Sequence, residues 1–523
     1  MNRSEMIARI EDRKFLWDMI VIGGGATGLG VAVEAASRGY WTLLLEQHDF
    51  AKATSSRSTK LIHGGVRYLR QGNISLVIEA LQERGRLIKN APHLVHHQSF
   101  IVPVYDWWSG PFYGIGLKVY DLMAGKLGLG PSHILSRNET LERIPTLESK
   151  DLRGGIIYYD GQFDDARLAI NLAQTAWEQG AVLVNYFPVI KFLKKHQLVQ
   201  GVIGMDAETG REYECHARVV INATGIFTDH ILQLDQPNSR KLLTLSQGAH
   251  LIVNRDFLPG DSAIMVPQTD DGRVLFAVPW HQKVVVGTTD TPLAEPSLEP
   301  QVFDQEVDFI LNHVARYLSK DPSQDDILSC FAGIRPLVNL EKTTHTAAIS
   351  RDHFLWVSES GLVTITGGKW TTYRKMAEDT VNQAAIVGGL EERACLTENL
   401  KIHGWLENGD LDDPLSYYGS DLPYIRDMMR KDLYTSELLH PRLPYPVAVV
   451  YWSMQQEMAR TIEDVLARRT RALLLDARAS LEAAPKVARL MAQKATHPVA
   501  WIDQQLKEYQ IVAKDYLPSI SSD

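Results

Sequence analysis

The run Gly23-Gly24-Gly25-Ala26-Thr27-Gly28 constrains this chain more than any other stretch of it. Residues 18–23 are apolar enough for a buried strand, residues 29–38 are small and apolar as a tightly packed helix requires, and residues 41–46 read as a second strand. A G-x-G-x-x-G turn in that setting opens a βαβ unit on a parallel sheet. Gly23 permits the tight turn, Gly25 lets backbone approach a pyrophosphate, and Gly28 lets helix and strand close on each other. Gly24, Ala26 and Thr27 complete the turn, and the helix N-terminus offers free amides and positive dipole to an anion. Glu46, at the end of the second strand, is placed to accept from ribose hydroxyls, and its charge would repel a 2′-phosphate.

A chain of 523 residues exceeds what one hydrophobic core serves, so two or three domains are expected. The segment 165–179 has helical periodicity, and 181–186, 197–204, 212–216 and 218–222 read as strands. Between about 244 and 349 the pattern turns to alternating β-type segments, such as 274–278 and 284–287, punctuated by Pro and Gly. From about 391 onward helical patterns dominate, notably 449–476 and 481–494. A net charge of -9 without a basic stripe argues against nucleic acid as a partner. Cys215, Cys330 and Cys395 lie far apart without metal-ligand spacing, so no metal site is indicated and a reducing cytoplasm fits. The first 14 residues lack the apolar core of a secretory signal, and no stretch is apolar for the roughly 18 residues of a membrane span. The aromatic segment 107–123 reads first as packing within a domain and second as an interfacial membrane patch.

Asn222-Ala223-Thr224-Gly225, closing a strand, resembles the second conserved element of two-dinucleotide-binding-fold flavoproteins, which favours FAD over NAD. The run from Thr54 through Ser55, Ser56, Lys60, His63, Gly64, Gly65, Arg67 and Tyr68 to Leu69 resembles the FAD-dependent glycerol-3-phosphate dehydrogenase family. The resemblance continues through Asp164 to Leu168, Gly287 to Asp290, Gly333 to Leu337, Gly367 to Arg374 and Glu457 to Arg471, in the family's order. It implies an α/β fold with a Rossmann-like, amino-acid-oxidase-like FAD-binding domain formed discontinuously by residues 1–100, 152–240 and 350–388. An antiparallel β-rich substrate domain (101–151 and 241–349) and an all-helical C-terminal domain (389–523) complete it.

The activity implied is oxidation of sn-glycerol 3-phosphate to dihydroxyacetone phosphate, with FAD as cofactor. Such chemistry needs hydride transfer from carbon, removal of a hydroxyl proton and cationic groups for the phosphate. The resemblance assigns Arg335 and Arg351 to the phosphate, Arg67 and Lys369 to the reacting end, and Tyr68 and His250 to the same site. His250, His63 and a charge-perturbed Arg or Lys are the candidates for proton acceptor; His250 is favoured, and His63 is read as packing against the flavin. Thr54, Ser55, Ser56, Lys60, Gly64, Gly65, Val189, Gly225, Gly368, Lys369, Trp370 and Thr371 are the further residues expected to hold FAD.

Ubiquinone or menaquinone is the expected electron acceptor, reached by peripheral attachment to the inner face of the cytoplasmic membrane. Amphipathic tail helices are candidates for a homodimer contact. A glycerol-3-phosphate oxidase using O2, and an amine or amino-acid oxidase of the same fold, are the competing enzymes. A non-catalytic flavin-binding scaffold is the competing class, disfavoured because the arginines, Lys369 and Tyr68 are all present.

Overall fold

The computed structural model describes residues 1–11, 16–65, 74–106, 116–121, 123, 125–267, 269–270, 272–339, 352–410 and 412–518. Arg67, Tyr68 and Arg351 lie outside the described residues, as does most of the aromatic segment.

The strand Trp17–Ile22 lies at the centre of a parallel sheet, with Thr42–Leu45 and then Val182–Val184 on one side and Glu212–Asn222 and then Val363–Gly367 on the other. Buried on both faces, these strands are nearly continuous Val, Ile and Leu. The helix Ala26–Ser37 packs across them against Asp165–Glu178 and Tyr373–Val387. Small residues make that approach possible, since a Cβ on Gly30 would lie 2.8 Å from the Tyr373 ring. The two short strands expected over 212–222 are one strand serving two sheets. Its first half pairs antiparallel with Leu198–Met205 and its second half parallel with Trp17–Ile22.

The second sheet is built on Leu243–Asn254, which pairs antiparallel with Ile327–Val338 and with Lys283–Gly287. It continues through Leu275–Trp280, Ala263–Val266, Val95–Val104 and Gly154–Phe163. The last two strands extend into stretches expected in the cofactor domain, 1–100 and 152–240, so the chain passes between the sheets inside those segments. The β-rich stretch 244–349 also holds a helix, Asp304–Ala315.

The helical tail departs from expectation at 449–476. Val447–Gln456 is helical, the chain then leaves the helix, a π-helical turn covers Asp464–Arg469, and Ala472–Leu475 follows a left-handed Arg471. Side chains cause the interruption. Asp464 accepts from the amides of Arg460 and Thr461, and Arg469 donates to the Glu457 carbonyl. Arg468 and Arg469 both reach Asp49, just after the second parallel strand, at 2.5 and 2.6 Å. Arg167 pairs with Glu457 at 2.5 Å and Arg471 with Asp164 at 2.8 Å. All four arginines are at most 1% exposed. Burial disfavours the Asp49 charge, but the two guanidiniums outweigh it and hold the carboxyl below its usual range.

Removing one member of a buried charge pair costs about 3–5 kcal/mol because its partners stay desolvated. Asp49→Ala is therefore expected to lower the thermal unfolding midpoint markedly, measured by calorimetry; a midpoint within a degree or so of the wild type would show the arginines content without it. A second clamp is pH-dependent. His403 lies between Glu178 (2.6 Å) and Asp421 (2.8 Å), and although burial opposes the cation, the two carboxylates hold its pKa up at about 9. An unfolded histidine titrates near ~6.5, so this clamp is complete below that pH and is lost as pH rises through about 9. His403→Gln should accordingly flatten the fall in unfolding midpoint between those limits.

Candidate active site

A cleft with two connected chambers runs between the sheets. The first, of 660 Å³, opens at the N-terminus of Ala26–Ser37 and the carboxyl ends of the parallel strands, the position at which sheets of this type take ligands. The second, of 240 Å³, lies against the second sheet and shares Ala26, Thr27, Thr54, Ser55 and Gly225 with the first.

Backbone proximity decides the shape of the first chamber. Gly23, at φ 110°, faces Ala223 so closely that a Cβ would lie 2.7 Å from its carbonyl oxygen, and Gly23, Gly25, Ala26 and Thr27 line the wall. Gly24 and Gly28 lie behind it. A Cβ on Gly24 would strike Glu46 and Phe50, and one on Gly28 would come within 1.9 Å of the Gly23 carbonyl oxygen. Glu46 lines the chamber and accepts from the amides of Gly24 (2.5 Å) and His48 (2.8 Å). Burial pushes its carboxyl up to about 7 against the pull of those amides. Val189 and Gly225 line the same chamber, as do His48, Lys52, His230 and Lys241, which sequence reasoning did not single out.

The segment 54–60 connects the chambers. Thr54 is tied through Oγ1 to the Ile334 carbonyl (2.7 Å), and the Ser55 hydroxyl accepts from the Ala26 amide (2.9 Å) while its carbonyl accepts from the Trp370 indole (3.0 Å). Ser56 and Lys60 turn the other way. Lys60 is fully buried, with Nζ 2.7 Å from Asp165 and 2.7 Å from the Ser56 carbonyl, and neither residue lines a chamber. Lys60 thus braces the segment from behind, because its ammonium needs Asp165 to offset desolvation.

In the second chamber the floor comes from paired strands. Gly248 lies opposite Gly333 and His250 opposite Phe331, so alternation puts Ser246, Gly248 and His250 beside Arg335, Gly333 and Phe331 on one face. The glycine pair is a steric requirement. A Cβ on Gly248 would lie 2.2 Å from the Arg335 guanidinium, and one on Gly333 would lie 2.5 Å from the Arg57 carbonyl oxygen. Arg335 is braced by Asp290, the Thr288 hydroxyl and the Gln247 and Thr289 carbonyls at 3.2–3.4 Å. His250 is 2% exposed, stacks on Phe331 at 4.9 Å, and has Nε2 2.9 Å from Thr59 Oγ1. Burial first, then the cations Arg335 and Lys60, hold its pKa well below the ordinary histidine value, so the ring is neutral.

His63, Gly368, Lys369, Trp370 and Thr371 close the chamber, His63 and Thr371 being joined by two hydrogen bonds of 3.2 and 3.3 Å. Gly64 and Gly65 do not line it. A Cβ on Gly64 would lie 2.6 Å from both Leu81 and Tyr120, and Gly65 turns at φ 79°. Sequence reasoning missed Arg57, Ser58, Thr59 and Gly248 as lining residues. For Gly248 a signal existed, since it stands two residues from His250 and hence on the same strand face.

The donor set fits a dinucleotide-sized cofactor: glycine approach and helix amides for a pyrophosphate, Glu46 for ribose hydroxyls, and a second chamber closed by the glycine turn at 367–368. A family model described as FAD dependent oxidoreductase matches residues 18–374, and one described as C-terminal domain of alpha-glycerophosphate oxidase matches residues 363–501. Over 536 aligned positions the chain is 39% identical to the mitochondrial glycerol-3-phosphate dehydrogenase of Macaca fascicularis, covering 96% of this chain and 73% of that protein. With the mitochondrial glycerol-3-phosphate dehydrogenase of Schizosaccharomyces pombe it shares 37% over 592 positions, covering 100% and 90%. The glycerol-3-phosphate dehydrogenase from Bacillus halodurans, solved in complex with FAD, has a TM-score of 0.81 at 29% identity and covers 100% of this chain and 99% of that one. Because the likeness runs through the cofactor cleft, the second sheet and the helical tail together, the chain belongs to the FAD-dependent oxidoreductase family, among the glycerol-3-phosphate dehydrogenases.

Proposed function

We propose that this protein oxidises sn-glycerol 3-phosphate to dihydroxyacetone phosphate with FAD bound along the two chambers. The observation that carries the reading is a braced guanidinium, Arg335, beside a neutral buried imidazole, His250, on one sheet face that forms the floor of the second chamber. FAD supplies the hydride acceptor; position, charge and proton handling come from the chain.

Gly23, Gly25, Ala26 and Thr27 take the pyrophosphate region, Glu46 and Val189 the adenosine end, and His63, Gly368, Trp370 and Thr371 the flavin end. Glu46 serves best as a carboxylate, the form that ribose hydroxyls as donors favour. Arg335 binds the phosphate. Its bracing acceptors, with the Ser246 hydroxyl among them, fix the guanidinium plane before substrate arrives, so little side-chain entropy remains to be lost on binding. Lys369 stands at the reacting end, and Arg67, Tyr68 and Arg351 are assigned to the substrate on the family resemblance. His250, which is neutral, accepts the hydroxyl proton.

Electrons are assigned to a membrane quinone of the ubiquinone or menaquinone type, with the protein attached peripherally at the cytoplasmic face. Relatives covered over most of their length are named dehydrogenases, and among the described residues no helix is long and apolar enough to cross a membrane.

Anaerobic mixing of the purified holoenzyme with sn-glycerol 3-phosphate is expected to bleach the oxidised-flavin absorbance rapidly. Bleaching by glycine or sarcosine, with no response to sn-glycerol 3-phosphate, would replace this reading with an amino-acid oxidase. Full turnover with O2 and stoichiometric peroxide, unaffected by a soluble quinone, would replace the acceptor alone. Arg335→Met should weaken substrate binding at least tenfold, about 1.4 kcal/mol or more, by loss of charge-assisted hydrogen bonds. A substrate concentration dependence of bleaching unchanged from the wild type would remove Arg335 from phosphate recognition.

A further inference from the structure

His250 has little freedom to meet a substrate hydroxyl itself. One face of its ring is flat against Phe331, with 14° between the planes. Its Cδ2 edge is closed by Gly287, where a Cβ would lie 2.5 Å away. Nε2 is covered by the Thr59 hydroxyl, 2.9 Å away. Thr59 is only half-buried and lines the second chamber, on the segment that also carries Thr54 and Ser55. Thr59 and His250 both line this chamber, and the Thr59 hydroxyl caps the nitrogen.

We propose that Thr59 is a proton relay for the alcohol oxidation, passing the substrate's hydroxyl proton to His250. The inference rests on the reading of the site given above. With the neutral ring as its Nδ1–H tautomer, Thr59 donates to an unprotonated Nε2 and its oxygen lone pairs remain as acceptors for a substrate hydroxyl. During reaction the substrate O–H bond breaks as a new O–H bond forms at Thr59 Oγ1, and the threonine's own proton moves to Nε2. The C–H electron pair leaves as hydride to the oxidised FAD, and the C–O bond becomes a carbonyl. The result is one ketone, one imidazolium, a threonine with its hydroxyl restored and an FAD that has taken up the hydride with its negative charge, so atoms and charge balance. After product leaves, the proton returns through Thr59 to water.

The arrangement also explains the environment of His250. Phe331, stacked on the imidazole, has the Lys60 ammonium 5.2 Å from its ring centroid, and Arg335 lies on the neighbouring strand. Burial first, and then these cations, keep the ring neutral between turnovers and favour return of the proton afterwards. Each cation is itself paired, Lys60 with Asp165 and Arg335 with Asp290.

The test uses holoenzyme variants Thr59→Val, Thr59→Ala and Thr59→Ser, each checked first for FAD content and unfolding midpoint. Anaerobic bleaching by sn-glycerol 3-phosphate is then followed in H2O and D2O. Thr59→Val and Thr59→Ala are expected to slow bleaching by about 10²–10⁴-fold with FAD retained, and Thr59→Ser to recover most of the rate together with the solvent isotope effect. Members of one relay act in series, so Thr59→Val with His250→Asn should be no more than about threefold slower than Thr59→Val alone. Wild-type rates in Thr59→Val, equal slowing in Thr59→Ser, or multiplying losses in the double variant each overturn the relay. A wild-type enzyme that sn-glycerol 3-phosphate does not bleach overturns the substrate reading, and the relay with it.

Discussion

One carboxylate, Asp49, holds two arginines of the helical tail inside the protein, and much of the molecule is arranged around that contact. It follows directly on the second parallel strand, so the tail is fastened to the edge of the cofactor cleft and not to a remote surface. Arg468 extends the network to Asp464 and Glu463 at 2.7 Å each. Glu463 in turn holds Lys52, a residue of the first chamber, at 2.5 Å. A displaced tail would strand several charges in a medium unable to solvate them, a cost larger than hydrophobic misfit at the same surface. Arg167 with Glu457 and Arg471 with Asp164 repeat the device at the N-terminus of the helix Asp165–Glu178.

The residues legible in the sequence are those whose local chemistry admits few alternatives. A glycine turn between strand and helix narrows the conformation, an acidic residue at the end of the next strand narrows the ligand, and the run of hydroxyls and glycines at 54–65 is legible through the family that it resembles. A lysine within a run of this kind reads as a cation for the cofactor, and the burial of Lys60 against Asp165, 105 residues away, leaves no local mark. The single helix expected over 449–476 has the same origin. Apolar residues recur on both sides of the break, and what interrupts them is pairing to Asp49 and Arg167, which periodicity does not register. The strand 212–222 was divided because its two halves meet neighbours of opposite direction. Thr59 is hidden for another reason. In Thr-Ser-Ser-Arg-Ser-Thr the five hydroxyl residues share one local signature, and only the fold decides which of them meets His250.

The two chambers divide the work by kind of interaction. In the first, the groups on offer are mostly backbone: amides at a helix start, glycines that admit close approach, and one carboxylate held by two amides. Such groups are fixed by secondary structure and hardly reorganise on binding. In the second, they are side chains on a sheet face, made rigid by Asp290, Phe331 and the bare surface of Gly248 and Gly333. The shared wall of Thr54 and Ser55 belongs to both, so a shift there would move both ends of the bound groups together.

A buried imidazole with a depressed proton affinity looks like a poor base, and its surroundings resolve the difficulty. The cations that disfavour a proton on His250 also favour negative charge developing on a substrate oxygen beside Thr59, because the same positive field acts on both groups. Proton transfer depends on the difference between the two proton affinities and not on either alone. Low dielectric strengthens the field relative to water, and the sheet holds the cations in place so that no reorganisation is needed as charge develops. A more basic histidine in the same position would be protonated before substrate arrived, and Thr59 would then face a donor where the reaction needs an acceptor.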